Sequence, residues 1–233
     1  MGLVRRVLLT FSAILWSSIA AQAGTVVYSN LGPGDTYNVG QGATICNDLA
    51  ACFAVDEDFA VGFMPSATYR LDSISLPVGL AEGLNLLDVL LETNSPCQVT
   101  CGSWGGLPSN SVIEAFQFSN AMGPFGAANP LLVATSTVRP ILQANTLYWV
   151  VADAIDGSGT SAAWNGSVPL NLGPAAQIGG SGGSQWVAVA GQGALRVTGD
   201  PVPGPASITL VGFGLAILLW VHVVPVSTDR ASG

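Results

Sequence analysis

The side chains able to do chemistry in this sequence are carboxylates, four thiols and a few tryptophans, and a missing residue type decides much. The only histidine is His222, well away from the acid-rich middle of the chain. With no imidazole between Gly24 and Asp200, neither a serine nor a cysteine nucleophile has its usual base, and histidine-ligated metals are excluded there. Glycoside hydrolysis needs only two carboxylates, one on each side of the scissile bond. Asp56, Glu57, Asp58, Asp72, Asp88, Glu92 and Glu114 are formally available, yet no spacing singles out a pair. Acids dotted through turns are the background of any acidic exported domain, so the expectation is a protein that is not an enzyme, with a carboxylate-only glycoside hydrolase as the alternative.

The densest acidic cluster, Asp56-Glu57-Asp58, and the weaker pair Asp153 and Asp156 offer the hard oxygens that calcium prefers. Neither follows EF-hand spacing. A solvated acidic turn accounts for the first, and a hairpin turn over Asp153–Gly159 for the second. Calcium at Asp56, Glu57 and Asp58 is thus the leading metal site the sequence suggests, and no cofactor is otherwise expected. Gly179-Gly180-Ser181-Gly182-Gly183-Ser184 lacks the lysine of a phosphate loop and reads as a surface loop.

Cys46, Cys52, Cys97 and Cys101 form an even set within the middle of the chain. Four cysteines permit three connectivities; the local pairs Cys46–Cys52 and Cys97–Cys101 are favoured, each clipping a loop. A four-thiolate zinc site is the alternative, but the gaps within the pairs fit zinc ribbons poorly. Trp104, Trp149, Trp164 and Trp186 supply flat apolar faces that can stack on sugar rings. Trp149 lies in an apolar run and is expected in the core. Trp104, between Ser103 and Gly105 beside the second cysteine pair, is the candidate ligand platform.

Charge narrows the partners. The chain contains no lysine, and only Arg70, Arg139 and Arg196 lie between Gly24 and Asp200, against every acidic residue of the protein except Asp229. Such a surface repels phosphate backbones, so nucleic acid is not a partner.

The two ends explain where such a domain works. Met1–Ala23 has the parts of a secretory signal peptide: Arg5 and Arg6, the apolar Val7–Ala20, and the small-x-small site Ala21-Gln22-Ala23. At the other end Pro201–Ser207 forms a Pro-rich hinge before the apolar run Ile208–Val224 and the tail 225–233. Ala206–Val224 as a helix would reach roughly 28 Å, enough to cross a hydrocarbon core. Val202-Pro203-Gly204-Pro205-Ala206-Ser207 followed by this span resembles the PEP-CTERM sorting signal of Gram-negative bacteria. That resemblance implies membrane insertion, processing by an exosortase during export and an association with exopolysaccharide. Two residues depart from the pattern: Gly204 stands where the family has glutamate, and Arg230 is the only base of the tail.

The intervening Gly24–Asp200 is long enough for one domain with a proper core. Glycine and proline punctuate it at short intervals and helix-forming residues are scarce, which predicts an all-β antiparallel two-sheet sandwich or jelly roll. The expected strands are Thr25–Ser29, Phe59–Phe63, Tyr69–Leu76, Leu84–Leu91, Val112–Phe118, Leu131–Ser136, Leu147–Ala152, Ala162–Asn165, Trp186–Ala190 and Ala194–Thr198. Within Tyr69–Leu76 the apolar phase shifts near Asp72, as at a bulge. The ordered segments Tyr28–Tyr37, Gly62–Ile74, Leu147–Ala152, Ala162–Asn165 and Leu195–Gly199 resemble the choice-of-anchor R domains, exported bacterial modules that occur with several sorting signals. The resemblance implies no activity. It points to a non-catalytic envelope or matrix protein, with a polysaccharide-binding module as the alternative.

Overall fold

The computed structural model describes residues 24–47, 56–97, 104–179 and 183–203. The signal-like segment, the apolar run 208–224, Cys52, Cys101 and the sorting-motif residues Gly204 to Ser207 lie outside them. Among the described residues there is no α-helix. Fifteen strands follow one another: β1 Thr25–Ser29, β2 Asn38–Cys46, β3 Asp58–Phe63, β4 Tyr69–Leu76, β5 Val78–Glu82, β6 Leu86–Pro96, β7 Gly106–Ser119, β8 Gly123–Pro124, β9 Leu132–Thr135, β10 Ile141–Leu142, β11 Tyr148–Asp153, β12 Ser161–Gly166, β13 Ala175–Ile178, β14 Val187–Ala188 and β15 Arg196–Pro201. The chain divides after Asp200 into two compact units.

The strands form three sheets. A six-stranded sheet runs β14-β13-β3-β11-β6-β7, with antiparallel ladders throughout. A second sheet runs β1-β15-β4-β10, with β9 also on β4, and a third runs β2-β12-β5-β8. Only Pro77 separates β4 from β5, yet they belong to different sheets. Proline has no N–H to continue a ladder, so the strand can change partners there. The Pro77 carbonyl then accepts the Asn165 N–H at 2.9 Å, joining the start of β5 to β12.

All three sheets contribute to one core. It includes Phe59, Val61 and Phe63 of β3, Leu87, Val89 and Leu91 of β6, Leu71, Ile74 and Leu76 of β4, and Trp164 of β12. Period-2 alternation sends Ala60, Trp149, Val151 and Ala176 to the opposite face of the six-stranded sheet, where Leu107 and Leu147 join them in a second apolar cluster. This face is covered by the far end of the β6–β7 hairpin. The register shifts at Glu92, where Glu92 opposes Val112 and Asn94 opposes Pro108. Such bulges bend a hairpin, and they bring Leu107 and Cys97 against the Trp149 cluster. Asn110 adopts a left-handed φ of 59° at the bulge, its N–H donates to Glu92 Oε2 at 2.8 Å, and Trp186 Nε1 donates to its Oδ1 at 3.0 Å.

The predicted β1 and β4 coincide with the observed strands, and the leucine-rich stretch that would also suit a helix is strand from Leu86 onward. In β4 the apolar phase changes where the partner changes: Arg70 pairs β10, Ser73 pairs β9, and the Asp72 carbonyl accepts the Ser136 N–H. By hydrogen bonding the strands make three sheets where the sequence predicts two. Asp153–Gly159 does not close a hairpin either, because β11 and β12 lie in different sheets. β2, β5, β8, β10 and β13 were not expected from the sequence, since glycine and short length hide their alternation.

Candidate functional site

Strand register assembles the acids that sequence spacing left scattered. Asp153 at the end of β11 pairs Asp88 of β6, and Ala152 pairs Phe59, which leaves Asp58 beside Asp153 on the other flank. Three carboxylates therefore lie in a row across β3, β11 and β6. Like charges on neighbouring strands repel, and two members of the row, Asp58 and Asp153, are shifted toward the protonated form. Burial pushes the Asp58 carboxyl up to about 8, helped by the charges of Asp153, Asp56 and Asp156. Burial also raises Asp153, to about 6, while its hydrogen bond to Asp58 works the other way and Asp56, Asp88 and Asp156 push it up. Burial and the neighbouring acids thus favour the protonated form of both Asp58 and Asp153.

Beside this row a cavity of about 370 Å³ is lined by Asp56, Asp58, Ile178, Gly179, Gly183 and Ser184. The proposed calcium ligands are not gathered in it. Asp56 and Asp58 face the cavity, whereas Glu57 is buried and bridges Cys46 through the backbone, with Glu57 N donating to Cys46 O at 2.7 Å. Among the described residues no three carboxylates, thiols or imidazoles converge to hold a metal ion.

Other carboxylates are committed to the backbone. Burial drives Glu114 upward, but the Ser136 hydroxyl, the Val138 and Thr137 N–H groups and the Thr137 hydroxyl all donate to it, and together they hold it below the usual range. Burial raises Glu92 against the pull of its backbone donors at Asn110 and Ser109. Asp72 accepts the Thr198 hydroxyl at 3.3 Å.

Trp149 is wholly buried, with its Nε1 donating to Asn94 Oδ1, as its apolar surroundings predict. Trp164 is also wholly buried and stacks edge-on against Phe59. Trp104 is 38 % exposed at the entrance to β7, the most accessible large ring of the four positions. Cys46 ends β2 and Cys97 follows β6, so each expected clip sits on a loop between strands, with its other cysteine outside the described residues. Val202 and Pro203 of the sorting motif follow β15 directly.

The sequence offered no route to the Asp58–Asp88–Asp153 row or to a buried amide network around Gln192. Their members lie on segments far apart in the chain and meet only through pairing. Compared with known protein families, curated proteins and solved structures, the chain matches none.

Proposed function

We propose that this chain is an exported, non-catalytic protein of the cell envelope or extracellular matrix: a β-sandwich of the choice-of-anchor R type, delivered by a signal peptide and carried on a PEP-CTERM-like sorting signal. In this architecture the six-stranded sheet forms one layer, and the two sheets joined at Pro77 form the other. The observation that carries the proposal is the Pro-rich hinge and apolar run placed directly after the last strand, β15. The membrane is the partner of that run and an exosortase its processing enzyme. The commitment of Glu92 and Glu114 to backbone donors supports the non-catalytic part. So does the pairing of β3 with β11, which sets Asp58 and Asp153 side by side on neighbouring strands. Glycosidase carboxylates stand at least about 5 Å apart to admit the sugar.

Fractionation of cells expressing the full chain and a chain ending at Asp200 tests the anchor. The full chain is expected in the membrane or envelope fraction and the shorter one in the soluble exported fraction; identical distributions would refute the proposal. A second reading, polysaccharide binding, is favoured by the exposed ring of Trp104.

A further inference from the structure

Between β2 and β12 of one sheet and β13 of another, the surface is indented above the buried Phe59 and Trp164. The indentation is a groove of about 490 Å³, within the range of small-molecule sites. Ala175 belongs to the main core and Ala176 to the outer cluster, so alternation turns Gln177 toward the core side, where it meets the groove. Gln41 reaches the same groove from β2.

The groove has no ionisable side chain in its lining, although the domain around it is strongly acidic. Its polar side chains are amides and the buried Ser167, whose hydroxyl accepts the Asn171 N–H. Gln41 Oε1 accepts from Asn38 Nδ2 at 3.0 Å, and among the described residues no protein acceptor meets the Gln41 Nε2 protons. Gln177 makes no side-chain hydrogen bond among the described residues. An amide offers donors and acceptors together, as a pair of neighbouring sugar hydroxyls does. Apolar contact comes from the rim, where Leu170 is 66 % exposed and Val168 is also exposed.

The floor is preorganised. Gln192 is buried and uses its whole side chain: Oε1 accepts the Tyr28 hydroxyl at 2.7 Å and Asn30 Nδ2 at 3.2 Å, and Nε2 donates to the carbonyls of Gly62 and Pro174. Asn30 also holds both sides of Gly193–Leu195, donating to Gly193 O and accepting Leu195 N–H. A saturated buried network of this kind is rigid. Glycines at 42, 166, 191 and 193 expose bare backbone to the groove.

We propose that this groove binds a neutral polysaccharide, with hydroxyls held between the Gln41 and Gln177 amides and the C–H face of a ring laid on Leu170. The inference rests on the polysaccharide-binding reading and places the site in the groove instead of at Trp104. Phosphorylated or uronate-bearing glycans would need cationic partners that the lining lacks. A peptide would need deep apolar pockets for anchor side chains, and here Phe59 and Trp164 are sealed beneath the surface.

The experiment uses the full chain in detergent, titrated with cellohexaose, laminarihexaose, maltohexaose and mannohexaose, with a galacturonate oligomer as the charged control. Binding to at least one neutral hexaose is expected at about 0.1–1 mM. Gln41→Ala and Gln177→Ala should each weaken it about three- to tenfold, the worth of one hydrogen bond. Ala190→Trp, at an exposed position of the lining, should abolish it, and Trp104→Ala should leave it unchanged; thermal melts verify that each variant is folded. Equal or tighter binding of the galacturonate overturns the proposal, as do groove variants that bind like wild type. Loss of binding in Trp104→Ala alone returns the site to that ring and keeps the polysaccharide reading. No binding of any neutral hexaose refutes the proposal, and self-association cured by Ala190→Trp would assign the groove to a second copy of the chain. Membrane anchoring is read separately by fractionation, so neither result stands in for the other.

Discussion

At the scale of single residues, the protein keeps its acids by protonating some and saturating others. Asp58 shows the first solution, since burial, aided by the charges of Asp153, Asp56 and Asp156, pushes its carboxyl up to about 8. A carboxyl raised above its unfolded value keeps its proton in the folded state while the unfolded chain loses it. Stability therefore falls as pH rises from about 4 toward about 8 and changes little from this group above that. Asp58→Asn should flatten that decline and raise the melting temperature at pH 8.5 more than at pH 5. Parallel thermal melts of wild type and variant across this interval check it, and an unchanged pH profile would show that Asp58 is ionised in the fold. Glu114 shows the second solution: as an ionised acceptor of several donors it ties β7 to the segment after β9.

At the scale of elements, the groove floor depends on how closely the 191–195 segment approaches β12. Trp164 Nε1 donates to the Ala194 carbonyl at 2.8 Å. A Cβ at Gly193 would stand 2.6 Å from that same nitrogen, far inside van der Waals contact. Gly193→Ala must therefore push Trp164 or the segment aside, breaking the indole hydrogen bond and loosening the contact with Phe59. Destabilisation of about 1–3 kcal/mol is expected, as for other overpacked cores, with a red shift of tryptophan emission. Denaturant unfolding followed by fluorescence measures both, and wild-type stability would mean that the segment has room the structure does not show. The bulged β6–β7 hairpin works on the other side of the sheet, where its bend turns an otherwise exposed apolar face into a second core.

At the scale of the whole molecule, an acidic domain and an apolar tail have separate tasks. On the proposed reading, net negative charge would keep the domain soluble outside the cell, while the run after the hinge would supply attachment. On the proposed PEP-CTERM reading, Gly204 would weaken recognition by the processing enzyme, and the nearly base-free tail would weaken the positive-inside bias that holds a tail in the cytoplasm. The full chain is expected to remain mostly membrane-bound with its C-terminus intact. Gly204→Glu combined with arginines added after Val224 should increase release of a shortened product. Intact-mass measurement of secreted and membrane fractions reads this, and no change on restoration would count against the proposed effect of the two departures.

Composition and pattern alone determined the all-β class, the strands β1 and β4, the burial of Trp149 and the lack of an imidazole base. These are local properties: alternation, turn chemistry and residue inventory are written along the chain. The Asp58–Asp88–Asp153 row, the Gln192 network and the groove were decided only by tertiary structure. Asp58 and Asp153 become neighbours because β3 pairs β11, and Tyr28 meets Gln192 across 164 positions. Register between distant strands is set by the fit of whole apolar faces, a global condition that no short window of sequence contains. Glycine-rich β2 illustrates the same limit, since its side chains carry little alternation and its place beside β12 comes from the ladder that pairs Ile45 with Ala162 and Gly42 with Asn165.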